Sequence, residues 1–226
     1  TNSMNLQLDK IREMFNLQNT LNKRTAGDSW FDRPDVVFEN AIIAEAAELL
    51  ESLDYKWWKD GKIDYKNARV EIVDLWHFTM SHIMKHYGHD EQSIELIAQA
   101  CVEPFSVAPY DFSQDYLLRK AVHNYVFEVL DVTNYIGVVS CKRLLASFGV
   151  MMSRAGMSFN DLYSMYIIKN ALNKFRQDNG YSTGEYVKMW AGKEDNEVVM
   201  EHCKGLTFEQ TLVKMQALYS LLKDSR

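Results

Sequence analysis

The chain has 226 residues, 47% of them hydrophobic, with only 3 Pro and 10 Gly and a formal net charge of −6. That length suffices for a full-sized core in one or two domains, and scarce Pro and Gly beside abundant Leu, Met, Ala and Glu argue against a turn-rich β fold and for helices. The acidic balance, without a long basic run, excludes duplex nucleic acid as an expected partner, but not a nucleotide, whose phosphates a metal can neutralise locally.

Residues 4–22 predict a first amphipathic helix, with Ile11, Met14, Leu17 and Leu21 following one another at steps of three or four. Gln18 and Asn22 lie one turn apart beside that face, positions that ordinary surface polarity commonly fills. Residues 23–34 read as a loop with exposed Trp30 and Phe31, and Asp35 is a candidate cap for a helix running to about Asp54.

Within that second helix Ile42, Ala46, Leu49 and Leu53 form an apolar stripe, flanked by Glu45 and Glu48. Residues three apart share a helix face, about 60° from one another, so the two carboxylates stand side by side. Their small neighbours, Ala41, Ala44 and Ser52, leave room beside them. A helix over roughly 64–87 carries a second pair, Glu71-x-x-Asp74, amid Val70, Ile72, Val73, Leu75, Trp76 and Phe78. A helix that is apolar nearly all round is buried, and it carries its carboxylates toward the interior, where they need cations. The choice lies between Lys or Arg partners, with Arg69 nearest for Glu71, and a hard metal ion with oxygen ligands such as Mg2+.

Between the two acidic runs stands Tyr55-Lys56-Trp57-Trp58-Lys59-Asp60-Gly61. Its tryptophans suit either stacking on a base, with lysines meeting phosphates, or a packed helix end with snorkelling lysines. Another helix is predicted over 90–103, ended by Pro104, and the Pro-containing stretch to Pro109 is the candidate boundary of an inserted subdomain. Residues 113–154 read as one or two strongly apolar helices, breaking near Asp131-Val132-Thr133 or Gly137. So much apolar surface predicts a central core, a subunit interface, or both.

Ser158 followed by Asp161 marks a helix start, and on that helix Lys169, Asn173 and Arg176 stand at i, i+4 and i+7 on one face. A cation, an amide and a guanidinium in a row suit phosphate oxygens, although a solvated polar stripe has the same spacing. After Gly180-Tyr181 a polar loop carries Lys188, Lys193, Asp195 and Asn196, and two helices close the chain, the last from a Thr207…Gln210 capping box to about Lys223.

Cys101, Cys141 and Cys203 are far apart and form no Cys-x-x-Cys, which predicts free thiols in a reducing compartment. No signal peptide precedes the first helix, so a soluble, cytoplasmic protein without membrane contact is expected.

Four blocks together resemble the dimeric dUTPases (dUTP diphosphatases) of the all-α NTP pyrophosphatase superfamily. They are LQNTLN at 17–22, the acidic pairs with KWWK between them, RVEIVDLWHF at 69–78, and KNALNKFRQDNGY with GKEDNE near 169–197. The segment from about 89 to 155 carries no matching motif. The resemblance implies an all-α helical bundle over residues 1–226 as a single domain, with a candidate inserted helical subdomain near 89–155. It also implies a homodimer, Mg2+ as cofactor, and hydrolysis of dUTP, and of dUDP, to dUMP.

Carried over by position, Glu45, Glu48, Glu71 and Asp74 become the metal ligands, and Lys169, Asn173, Arg176 and Tyr181 the phosphate contacts. Gln18, Trp57 and Asn196 become parts of a uracil pocket, Phe78 the aromatic against deoxyribose, and Asn22, Lys59, Lys188 and Lys193 extend the set. The chemistry needs no protein nucleophile. The resemblance implies that metal-activated water would attack a phosphoanhydride, with Glu48 as the expected general base and Lys169 and Arg176 stabilising developing charge. Three rival readings are a dCTP or broader NTP pyrophosphatase, a di-iron carboxylate bundle hinted at by Asp74-x-x-His77, and a helical interaction module without activity.

Overall fold

Helices dominate the computed structural model, which describes residues 2–110, 115–134 and 137–225. In chain order these hold α1 (Asn2–Ala26), a 3-10 turn (Trp30–Asp32), α2 (Phe38–Ser52), α3 (Tyr65–His86), α4 (Glu91–Phe105) and α5 (Asp115–Asn134). After them come α6 (Val138–Arg154), α7 (Phe159–Asp178), strands β1 (Met189–Trp190) and β2 (Lys193–Glu194), α8 (Asp195–His202) and α9 (Phe208–Leu222). The all-α expectation holds.

Contacts divide the chain into two units, Thr1–Leu162 and Tyr163–Arg226. In the first, α2 packs along α3, α5 along α6, and α4 against both α1 and α6. The core is centred on Trp76, which is fully buried and meets Phe15 and Phe105 edge-on and Phe148 at a tilt. Its indole Nε1 donates to the Met14 sulfur at 3.4 Å. Gly149 lets α6 approach α4, because a Cβ there would lie 2.7 Å from the Pro104 carbonyl oxygen. Residues 91–154, where no motif was matched, supply α4, α5 and α6 to this unit.

The second unit builds its core from Leu172 and Phe175 of α7, Trp190, Val199 of α8, and Met215 and Tyr219 of α9. The antiparallel β1–β2 pair, which sequence patterning did not suggest, turns on Ala191 and Gly192, both at positive φ, as two-residue hairpins require.

Several local expectations are corrected. The first helix runs on to Ala26. Trp30 is fully buried rather than exposed, its Nε1 donating to Asn19 Oδ1 at 2.9 Å. The N-cap of α2 is Val37, without a side-chain cap, because Asp35 instead pairs with Arg33. Pro104 lies inside the last turn of α4 rather than ending it, and α4 continues to Phe105. The break between α5 and α6 falls at Gly137, the N-cap of α6. Ser158 and Asp161 exchange bonds at the start of α7, and Thr207 with Gln210 forms the expected capping box. All three cysteines are free and buried. No described helix is long and apolar enough to cross a membrane.

Candidate functional site

In the first unit the acidic residues sit on the paired helices α2 and α3. Asp64 caps α3 by accepting from the Asn67 backbone N–H at 3.0 Å. Asn67 then uses its side-chain amide twice, donating to Ser52 Oγ at 2.8 Å and to Glu71 Oε1 at 3.0 Å, which ties the end of α2 to the Glu71 carboxyl. Glu71 is buried, as the apolar circumference of its helix predicts. Its other oxygen, Oε2, is buried without a hydrogen-bond partner. Arg69, the cation nearest in sequence, sends its Nε to the Ala155 carbonyl at 3.2 Å.

Burial pushes the Glu71 carboxyl up to about 7; bonds from Ser52 and Asn67 pull it down, while the negative charges of Glu48 and Asp74 push it further up. Carboxylates from both helices therefore share one field. Glu48 is exposed, whereas Glu45 and Asp74 are half-buried, and Glu45 Oε2 is shut off from solvent. The mutual repulsion and the Glu71 oxygen lacking a donor suit a hard divalent cation, but among the described residues the donor atoms that come within 4.8 Å of one another as a group of three are those of Glu39, His82 and His86, not those of the two acidic pairs.

Gln18 and Asn22 are not surface residues: both are buried. Gln18 Nε2 donates to Asn22 Oδ1 at 3.1 Å, Asn22 Nδ2 to Ser81 Oγ at 2.9 Å, and Ser81 Oγ to the His77 carbonyl at 3.0 Å. This network anchors α1 to α3 and fixes the orientation of both amides. Phe78, one turn beyond Asp74 on the same face, is half-buried. Trp57 is 89% exposed and meets Trp58 edge-on at 5.5 Å, so the reading of a packed helix end fails for it. His77, the half-motif of the di-iron reading, turns Nδ1 back to the Val73 carbonyl at 2.9 Å.

In the second unit α7 carries Lys169, Asn173 and Arg176. Lys169 is buried, and its Nζ donates to Asn196 Oδ1 at 2.8 Å. Because an ammonium only donates, the Asn196 carbonyl oxygen must face it, and the amide NH2 is presented elsewhere. Arg176 donates Nε to Asp195 Oδ2 and Nη2 to Asp195 Oδ1, both at 2.8 Å, and its guanidinium lies over the Tyr181 ring at 5.7 Å. Asp195 is fully buried and also accepts from the Tyr186 hydroxyl at 2.6 Å and the Asn196 N–H at 2.7 Å. Asp195 and Tyr186 were missed from the sequence as partners of the basic row. The only available signal was that an Asp opening a short helix lay beside Asn196. Tyr181 is 53% exposed, and Asn173 half-buried.

A family model described as dUTPase matches residues 10–181, from within α1 to Tyr181, taking in both acidic pairs and the basic row of α7 and ending before Asp195 and Asn196. None of the curated proteins compared matches the chain.

Proposed function

We propose, from the chain's membership of the dUTPase family, a division of labour among its residues in the hydrolysis of dUTP. The protein is a dUTP diphosphatase; our reading adds that it requires Mg2+, that dUDP is also a substrate, and that both yield dUMP. Water attacks phosphorus and a phosphoanhydride P–O bond breaks, releasing pyrophosphate from dUTP or phosphate from dUDP.

Glu45, Glu48, Glu71 and Asp74 would hold the magnesium ion, and the observation that carries this is the buried, unbonded Oε2 of Glu71 inside a field of like charge. Bound there, Mg2+ would supply charge neutralisation on phosphate oxygens and lower the pKa of water. Glu48, the exposed member of the set, accepts the proton of the attacking water. Lys169, Asn173 and Arg176 bind phosphate oxygens. Asp195 occupies the Nε and Nη2 edge of Arg176 and so leaves Nη1 for the anion, with Tyr181 beside the guanidinium.

Base choice follows from amide polarity. With Asn196 Oδ1 held by Lys169, its NH2 is left to donate to a uracil carbonyl. Cytosine offers an amino group at the fourth position, placing donor against donor and leaving a buried group unpaired. By the family resemblance Gln18, held in its amide pair with Asn22, would also read the base, Trp57 would stack on it, and Phe78 would pack on deoxyribose, where a 2′-hydroxyl has no partner.

The protein acts as a homodimer in the cytoplasm in this reading. Support for the dimer is the exposed apolar stripe of α5, with Tyr116, Phe127 and Leu130 all open to solvent. Incubating the metal-stripped protein with dUTP, dUDP, dCTP, dTTP and UTP, with and without Mg2+, tests the reading. Turnover of dUTP and dUDP only, and only with the metal, is expected; equal rates on all five, or rates indifferent to Mg2+, overturn it.

A further inference from the structure

Among the described residues, one cluster of metal-ligating side chains lies outside the acidic pairs. Glu39 stands in the first turn of α2, and His82 and His86 one turn apart near the end of α3. Glu39 Oε1 is 3.3 Å from His82 Nδ1 and 4.0 Å from His86 Nε2, and the ligand atoms of all three lie within 4.8 Å of one another.

The hydrogen bonding of His82 makes this more than proximity. Its Nε2 lies 3.0 Å from the Val129 carbonyl oxygen, which can only accept, so Nε2 carries the proton. The side chain is wholly buried. In the neutral ring with its proton on Nε2, Nδ1 is a lone pair. It is buried, makes no hydrogen bond, and points at the Glu39 carboxylate, another acceptor. Two acceptors facing one another at that distance make a place that a cation suits. The Lys85 ammonium does not fill the role, since its Nζ is engaged by the Arg33 and Val36 carbonyl oxygens.

We propose that Glu39 Oε1, His82 Nδ1 and His86 Nε2 form a binding site for a divalent transition-metal ion of the zinc class. Two imidazoles and one carboxylate are a donor set for such an ion rather than for magnesium, which takes oxygen. A tetrahedron with bonds of about 2.0–2.1 Å has ligand atoms about 3.3 Å apart. The Glu39–His82 separation already meets that, while the Glu39–His86 separation, at 4.0 Å, is wider. The bond from His82 Nε2 to a backbone carbonyl is the orienting contact that metal-bound histidines make. Glu39 and His86 keep 20% and 19% side-chain exposure, which leaves an entry path and a fourth position for water. The ion would staple the start of α2 to the end of α3. The proposal is independent of the substrate reading, because none of its ligands belongs to the acidic pairs or the basic row.

Chelator-treated protein, exchanged into excess Mg2+, is titrated with Zn2+ by calorimetry and with Co2+ by visible absorption. One ion per chain is expected, with the intense absorption of low-coordinate cobalt. Uptake should persist in Glu71→Gln and fall at least about tenfold in affinity in both His86→Ala and Glu39→Gln. These two partly exposed positions are chosen because the buried His82 would be harder to replace, and circular dichroism establishes that each variant is folded. Failure of the wild-type chain to bind either ion, or equal binding by wild type and a folded His86→Ala, overturns the proposal.

Discussion

Arg176 and Asp195 form a two-point ion pair, with Nε–Oδ2 and Nη2–Oδ1 both at 2.8 Å, in which the guanidinium side chain is 12% exposed and the carboxylate not at all. Breaking a buried pair by removing one partner leaves an uncompensated charge. Asp195→Ala should therefore destabilise the fold by about 3–5 kcal/mol in urea unfolding. It should also depress kcat more than Arg176 burial alone would suggest, since nothing then holds the Nε and Nη2 edge. An Asp195→Ala protein with wild-type stability would contradict this account.

The same pair sets an acid limit. Burial pushes the Asp195 carboxyl up, but the bonds and charge of Arg176, with the Tyr186 hydroxyl and the Asn196 N–H, prevail and hold it below its ordinary value near 3.8. A depressed folded-state value means that the contribution to stability is complete above the unfolded value and is lost as pH falls through the folded one. Wild type should lose stability steadily below about pH 4, and Asp195→Asn should show a flatter slope over that window. Thermal unfolding at stepped acid pH measures both slopes.

Glu71 carries the opposite burden, a buried carboxylate oxygen without a donor beside the charges of Glu48 and Asp74. A ligand that binds only the folded state stabilises it by mass action, about 2.7 kcal/mol at a hundredfold excess over Kd. Added Mg2+ should accordingly raise the Tm of wild type. Glu71→Gln should lose that rise and all but a trace of turnover, while its metal-free form is at least as stable as the metal-free parent, because a repelled charge has gone. A Mg2+-dependent Tm rise that survives in Glu71→Gln would place the ion elsewhere.

The helices were legible because apolar periodicity and caps are local signals. The buried α3, the Ser158–Asp161 start of α7, the Gly137 break and the Thr207 capping box all follow from a few adjacent residues. Burial of Glu71 was readable for the same reason. Trp30 and the amides of Gln18 and Asn22 were not, since their burial depends on Asn19 and Ser81, partners brought in by packing rather than by sequence spacing. Asp195 and Tyr186 escaped notice similarly, because a carboxylate 19 residues after an arginine gives no periodic signal. The β1–β2 pair is only two residues per strand, too short for alternation to register.

Asn196 offers a specificity prediction. Its Oδ1 is fixed by Lys169 Nζ at 2.8 Å, so its remaining polarity is that of a donor. Asn196→Ala should narrow the preference for dUTP over dCTP by about 10²-fold or more, chiefly by losing rate on dUTP. The ratio of kcat/KM values for the two nucleotides checks it, and an unchanged ratio would remove Asn196 from base reading.

Trp57 separates a binding role from a structural one most cleanly, because its side chain is 89% exposed and little of the fold leans on it. A surface substitution away from caps, cores and ion pairs shifts stability within about 0.5 kcal/mol. An aromatic stacked on a base is worth about 1–3 kcal/mol of binding, which is about 5- to 150-fold in affinity. Trp57→Ala should therefore unfold at the wild-type temperature while raising KM for dUTP by roughly that factor. Trp57→Phe should recover most of the loss, since a smaller ring still offers a face. If Trp57→Ala instead lowers the Tm and leaves KM alone, the indole belongs to the packing of the segment that joins α2 to α3, and the base lies elsewhere.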